Sequence, residues 1–386
     1  RESLDSRPEV EEVESGLVFA GLTGMQDPPR PEAARAIALC RKAGIRVVMI
    51  TGDHPATALA VARELGMAAP QDEVQTGREL DQLDDKSLAE RVERIVVYAR
   101  VSAEHKLRIV RAWRSQGAVV AMTGDGVNDA PALKGADIGV AMGRTGTEVT
   151  KQASDMVVTD DNFASIVAAV EEGRGIYANI RKTMSFLLAG NAGEMALMLE
   201  AILAGLPTPL LPIHLLWINL VTDGLPALCL AAEPVDPWVM DRKPRPRLER
   251  LANPEFIRGL LFCGAITAGA SLSVFLYTLD NYDLATARSY AFATLVFSEL
   301  FRAFGARSET VPVWRLNPFG NVKLLVVVAG SIALQLLSHH NAVLGGLLET
   351  TPLPLRDCLV LLAVSTLPLT VLEVMKVVGG RGQAKG

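Results

Sequence analysis

Cysteine is too scarce and too scattered in this sequence to organise it. Cys40, Cys229, Cys263 and Cys358 lie far apart and form no CxxC pair, which excludes a disulfide framework and a thiolate zinc site and leaves them as small buried hydrophobes. The five histidines show no metal-ligand spacing, and His339–His340 reads as a solvated pair in a loop. With a net charge of −5 and no long basic tract, the chain has no electrostatic footprint for nucleic acid. No stretch has the form of a signal peptide. The sequence opens on Arg1, and residues 1–15 are acidic and weakly patterned, the expected linker from a preceding domain.

What is present is apolar surface, and it is segregated. Hydrophobic residues make up 49% of the 386, and nearly all the long apolar runs follow Ser185, so a soluble front half and a membrane back half are expected. In the front half, strands alternate with helices. Gly16–Met25 reads as a strand, Asp27–Arg30 as a proline turn, and Pro31–Ala43 as a helix closed by Gly44. Ile45–Ile50 is a β-branched strand running into Thr51–Gly52–Asp53, and Pro55–Leu65 is a helix ending at Gly66. Ile95–Tyr98 is a strand and Ala103–Gln116 a helix, with Lys106 in its first turn. This alternation predicts a parallel sheet with ligands at the carboxyl ends of its strands.

The stretch around which the front half is organised is Ala118–Val140. An apolar strand ends in Thr123–Gly124–Asp125–Gly126, with Asn128 and a second carboxylate at Asp129. Glycines beside an acid at a strand end allow a tight turn and close approach to an ion, and two acids with an amide suit Mg²⁺ bridging to a phosphate. The same residues also suit a strand-to-helix turn whose polar groups only cap a helix.

Six apolar segments follow: Met184–Leu206, Pro209–Ala231, Phe256–Leu279, Ala291–Pro312, Val322–Ser338 and Leu355–Val378. Most approach the ~20 residues needed to span a bilayer. Arg242, Lys243, Arg245, Arg247 and Arg250 lie between the second and third, and Lys376, Arg381 and Lys385 near the end, while the alternate turns carry no Lys or Arg. The soluble half and the C-terminus are therefore expected on the cytoplasmic side; Arg288 and Arg356 are mild exceptions. Asn191 and Glu194 share a helical face in the first span, as do Asn219, Thr222 and Asp223 in the second, where Gly224 and Pro226 loosen the helix. A charge at this depth costs ~2.5–3.5 kcal/mol or more, so it should meet a partner or an ion path. With Glu299 this is a set of oxygen ligands, which suits a hard cation rather than copper or zinc. Interhelical hydrogen bonds and a protonated buried acid are the alternative. Glu299 alternatively pairs with Arg302, and Glu309 reads as solvated.

Thr123–Lys134 (TGDGVNDAPALK) resembles the hinge motif of the P-type cation-transporting ATPases. Asp27–Arg30 is similar to that family's DPPR hinge, Thr51–Asp53 to its TGD motif, and the context ARVSAEHK to the segment bearing its phosphate-contacting lysine. Phe186–Glu194 and Leu215–Ala227 resemble spans five and six of calcium pumps of the sarcoplasmic-reticulum and secretory-pathway type. The resemblance implies an α/β haloacid-dehalogenase-like parallel sheet domain, with stalk, at 16–183. It implies six transmembrane helices after that: two carrying cation ligands at 184–231, a cytoplasmic loop at 232–255, four more helices at 256–379, and a tail at 380–386. It also implies Mg²⁺ at Asp125, support of the phosphate by Asn128 and Asp129, phosphate contact by Lys106, and a phosphate and ATP site involving Thr51, Gly52, Asp53 and Arg30. Asn191, Glu194, Asn219, Thr222 and Asp223 would bind transported Ca²⁺, with Mn²⁺ as an alternative cargo. Glu299 falls roughly where two-site pumps place an acid on span eight.

The resemblance reaches only the second half of the family's architecture. No DKTGT segment supplies the phosphorylated aspartate, the actuator TGE loop is missing, and so is the PEGLP span. A half-pump completed by a separate chain and a membrane-tethered phosphatase remain as other readings, although the latter needs a DxD nucleophile that is not found. Ligand type fixes hardness rather than identity, so Na⁺, K⁺ and H⁺ stay open. The isolated chain is expected neither to autophosphorylate nor to hydrolyse ATP; an acid-stable radiolabelled phosphoenzyme formed from it alone contradicts that expectation.

Overall fold

The computed structural model describes residues 16–21, 28–69 and 71–383. The expected linker at 1–15 and Asp27 lie outside the described residues. So does part of the expected strand Gly16–Met25; residues 16–21 are irregular and exposed, because no neighbouring strand among the described residues pairs with them.

The front half is α/β, and all its strand pairs are parallel. They form two three-stranded sheets, with β1 (Met49–Thr51), β2 (Glu73–Thr76) and β3 (Ile95–Ala99) in the order β1-β3-β2, and β4 (Ala121–Gly124), β5 (Ile138–Met142) and β6 (Met156–Val158) in the order β4-β5-β6. The β-branched run of β3 is fully buried, as a strand covered on both faces must be. β1 and β4 are edge strands of different sheets, yet Ile50 of β1 packs into the cluster of Val110, Met122, Ala132 and Leu133 around β4. Their carboxyl ends carry Thr51–Asp53 and Thr123–Asp125. The helix Ala103–Ser115 is started by a reciprocal cap, in which Ser102 and His105 each bind the other's backbone N–H.

The back half is helical. α1 (Phe163–Leu203) runs for 41 residues without a break, joining the soluble core to the bundle. Its first residue packs on the apolar clusters of the front half, and Phe186 and Leu197 pack in the bundle core. α1, α2 (Pro212–Ala231), α3 (Pro254–Asn281), the helix that includes α5 (Val322–His340), and α6 (Leu355–Val378) are long and apolar enough to cross a membrane. α4 (Leu284–Ala306) is also long enough, but it is buried along most of its length inside the bundle. A helix whose neighbours are protein rather than lipid does not need a uniformly apolar surface, which is why α4 carries Glu299 and Arg302. Six helices therefore fit the expected number, with the fourth displaced from the expected Ala291–Pro312. α6 is interrupted at Ser365–Thr366, just before Pro368, where the ring removes a donor. His339 is not in a loop: α5 continues through it, it is buried, and its Nδ1 lies 3.2 Å from the Thr351 carbonyl oxygen.

The segment between α2 and α3 straps the two halves together. Arg174 of α1 donates to the carbonyls of Val239, Arg242 and Ala43 at 3.2, 2.8 and 3.0 Å. Lys42 pairs with Asp241 at 2.6 Å, and Arg247 with Asp137 at 2.6 Å. The Arg245 guanidinium lies 3.3 Å above the Tyr177 ring. Glu309, expected to be solvated, receives Arg181 Nε of α1 at 2.8 Å.

Gly44 is a tight point of this strap. Its φ is +70°, and an added Cβ would lie 2.7 Å from Pro244 Cδ; Gly66, at φ +69°, has nothing within 4 Å. Gly66→Ala should cost about 1–2 kcal/mol from backbone strain alone, and Gly44→Ala measurably more, because the strap must also shift. Thermal unfolding in detergent checks this; equal losses would contradict it.

Candidate functional site

Two sites emerge, one at the carboxyl ends of β1 and β4 and one inside the bundle. At β4, the two acids of the turn divide their work. Asp129 is buried: its Oδ2 accepts from the backbone N–H groups of Asp125 and Gly126, each at 3.2 Å, and its Oδ1 accepts from Lys106 Nζ at 2.5 Å. A Cβ on Gly124 would lie 2.5 Å from the Asp129 Cβ, so only glycine allows this closure. Asp125 and Asn128 are exposed, and among the described residues no hydrogen bond engages the Asp125 carboxylate. A free, solvent-facing carboxylate beside a rigid turn fits Mg²⁺, which keeps several waters and needs few protein ligands.

Lys106 is aimed by its helix. His105 Nε2 lies 2.8 Å from Asp81 Oδ1 and fixes the first turn. At β1, Thr51 Oγ1 donates to Asp53 Oδ2 at 2.9 Å and accepts from the Asp53 N–H at 3.1 Å, leaving Gly52 exposed with open space where a Cβ would stand. Arg30 donates to the carbonyl oxygen of Asp161 at 2.8 Å. Asp161 in turn accepts from the N–H groups of Arg144 and Thr145, which hold its carboxyl below the usual range.

In the bundle, Glu194 of α1, Asp223 of α2 and Glu299 of α4 come together. Each offers one oxygen lying within 4.8 Å of those of the other two, and all three residues are buried. Glu194 Oε1 and both oxygens of Asp223 and Glu299 have no hydrogen-bond partner. Buried acceptors without donors are costly, and adjacent carboxylates repel one another, so the cluster calls for a cation or for protons.

Local sequence explains the convergence. Residues Ile218–Asp223 are π-helical. Pro226 cannot donate to the carbonyl four residues earlier, and a widened turn absorbs the misfit. Thr222 Oγ1 then donates to Ile218 O at 3.0 Å, while Asp223 turns inward. Gly190, one turn before Glu194, leaves room: a Cβ there would lie 3.2 Å from both Asp223 Oδ2 and Glu299 Oε1. α1 and α3 also approach closely, because a Cβ on Gly264 would lie 3.0 Å from the Gly193 nitrogen.

Not every expected ligand joins the cluster. Asn191 is exposed, and Asn219 is exposed with its Nδ2 turned back on the Leu215 carbonyl at 2.9 Å. Thr222 is buried beside Asp223 but spends its hydroxyl proton on its own helix. Glu299 does not form the alternative pair with Arg302: both its oxygens lack partners, as do Arg302 Nε and Nη2. Sequence reading missed Gly190; its signal was a glycine four residues before a buried acid.

Residues 207–378 match the family model described as cation transporting ATPase, C-terminus, and 3–137 and 107–170 match haloacid dehalogenase-like hydrolase models. The chain is 46% identical to a calcium-transporting ATPase 1 of Bacillus cereus over 96% of its length, and 46% identical to a calcium-transporting ATPase of Bacillus subtilis over 94%. It is 42% identical to calcium-transporting ATPase 1 of Schizosaccharomyces pombe over 93%. Over nearly all of its length the chain is similar to part of these cation-transporting ATPases. It spans less than half of those relatives, namely 44%, 41% and 41% of their lengths. The α/β front half is haloacid-dehalogenase-like, and the helical half holds several helices long and apolar enough to cross a membrane.

The unequal engagement of the two acids in the β4 turn gives a sharp contrast. Asp129→Ala strands the Lys106 ammonium and two backbone donors and should destabilise the protein by about 1–3 kcal/mol. Asp125→Ala removes no internal bond and should stay within about 0.5 kcal/mol. Chemical denaturation of the purified variants measures both; a reversed order would contradict the assignment.

Proposed function

We propose that this chain is the C-terminal part of an ATP-driven pump that moves Ca²⁺ out of the cytoplasm through an aspartyl-phosphate cycle, with Mn²⁺ as a second cargo. The observation that supports this most is the cluster of Glu194, Asp223 and Glu299, three acids from three helices with unpartnered oxygens. Ca²⁺ takes about 6–8 oxygens, so the carboxylates would be joined by neighbouring carbonyls and by waters. Asn191 and Asn219 would complete the shell only after their side chains turn inward. Calcium is also the cargo named for the relatives.

At the soluble end, Asp125 would hold Mg²⁺, and Asn128 and the Asp129-braced turn would border the phosphate. Lys106, kept in place by Asp129, would face the phosphoryl group and offset its charge. Mg²⁺ bound there would supply Lewis-acid neutralisation of the developing charge. Thr51, Gly52 and Asp53 offer an exposed polar turn for the phosphate and nucleotide, and Arg30 would border the nucleotide through a domain beyond this sequence. Residues 16–183 then act as the C-terminal part of the phosphorylation domain with its stalk, 184–231 and 256–379 as the membrane domain, and 232–255 as a cytoplasmic loop. Soluble half and C-terminus face the cytoplasm on the same reading.

The coupling element is α1. Its single helix carries Phe163 in the soluble core and Glu194 in the bundle, about 46 Å apart at 1.5 Å per residue. A tilt imposed at one end therefore moves a ligand at the other.

The test is ATP-dependent ⁴⁵Ca uptake into vesicles by the full-length protein containing this chain, with Asp223→Asn as the comparison. Uptake by the wild type, reduced at least about tenfold in the variant (about 1.4 kcal/mol), is expected. No uptake by the wild type, or equal uptake by both, contradicts the reading.

A further inference from the structure

Arg302 lies one turn beyond Glu299 on α4, and it is only 4% exposed. Its guanidinium is fastened at one corner: Nη1 donates to the Phe186 carbonyl at 3.0 Å, and Cζ sits 5.0 Å above the Phe186 ring. The other two nitrogens, Nε and Nη2, have no partner. They share a small volume with the unpartnered carboxylate oxygens: a Cβ on Gly190 would lie 3.1 Å from Arg302 Nη2 and 3.2 Å from Asp223 Oδ2 and Glu299 Oε1. Opposite charges thus face one buried space without closing on each other. A fully committed ion pair would have satisfied both sides, because removing either partner of such a pair leaves an uncompensated buried charge. The arrangement here leaves room between them.

The charge sum is informative. When its three carboxylates are ionised, the cluster together with the guanidinium totals −2, the complement of a single divalent cation. We infer that Arg302 is a tethered counter-charge that matches the Glu194–Asp223–Glu299 cluster to one divalent cation and weakens its hold on that ion. It is a specificity-determining residue and not a ligand, since it has only donors. The inference rests on the cation-site reading above. Physically, a fixed positive charge beside the ion raises the energy of the occupied site, which favours release. Without it the cluster carries −3 and holds a divalent ion more tightly.

Wild type, R302K, R302Q and the double variant E299Q/R302Q of the full-length protein are compared for the Ca²⁺ dependence of ⁴⁵Ca uptake and of ATP hydrolysis. R302Q should lower the half-saturating Ca²⁺ concentration by about tenfold or more and lower maximal turnover together with it. R302K, which keeps the positive charge, should fall within about threefold of wild type in half-saturation, and E299Q/R302Q, measured beside E299Q, should bind more tightly than E299Q. A purely structural role, fastening α4 to α1 through Phe186, would instead leave half-saturation unchanged or weaker in R302Q and no tighter in the double variant than in E299Q; either result overturns the inference. If R302Q does not accumulate, the double variant compared with E299Q decides: tighter than E299Q supports the inference, weaker overturns it. Absence of Ca²⁺ uptake by the wild type sinks the pump reading itself, whereas normal uptake with no split among the Arg302 variants sinks only this inference.

Discussion

Carboxylate oxygens brought together inside a helical bundle, away from donors, constrain everything around them. Glu194, Asp223 and Glu299 come from three helices that otherwise pack through apolar residues such as Phe186, Ile218 and Phe297. Burial of such groups is tolerated only when charge is compensated. The bundle is shaped to permit it: Gly190 gives the acids space, the π-helical turn at Ile218–Asp223 rotates one inward, and α4 is enclosed by other helices and so is free to carry charge. Each device weakens its own helix slightly, which is the usual cost of a functional site in an otherwise regular element.

The second constraint is the continuity of α1, on which the proposed transmission depends. α1 is continuous from the soluble core to the acids, and its soluble portion is gripped from the side by the segment between α2 and α3 through Arg174, Tyr177 and Arg181. Asn321, Glu233 and Arg307 form a further buried junction where α2, α4 and α5 end or begin, with Arg307 Nε 2.8 Å from Glu233 Oε1. Individually, exposed members of such networks contribute little. Their value lies in geometry, since a rigid helix held at both ends passes on a tilt that a flexible linker would absorb.

Much of this was legible in the sequence, for physical reasons that can be named. Thr123–Asp129 was readable because glycines on both sides of an acid, at the end of an apolar strand, mark a tight turn that presents the carboxylate. Gly44 and Gly66 marked helix ends because both adopt positive φ. Glu194 and Asp223 stood out because acids are expensive in apolar runs. Three things were not readable. β2, β5 and β6 carry no β-branched run like that of β3, so no local pattern marks them. Asn219 shares a helical face with Asp223 by spacing, but its amide finds the nearer Leu215 carbonyl. Arg302 looked like the neighbour of Glu299, and only three dimensions show it fastened to Phe186 instead.

The central claim is that three acids from α1, α2 and α4 hold one ion. A structure of the full-length protein determined with Ca²⁺, and again after chelation, tests it most directly. Density for an ion among Glu194, Asp223 and Glu299 that vanishes on chelation is the predicted result. Ca²⁺ seated elsewhere in the bundle, with these carboxylates hydrogen-bonded to one another in both states, would contradict it.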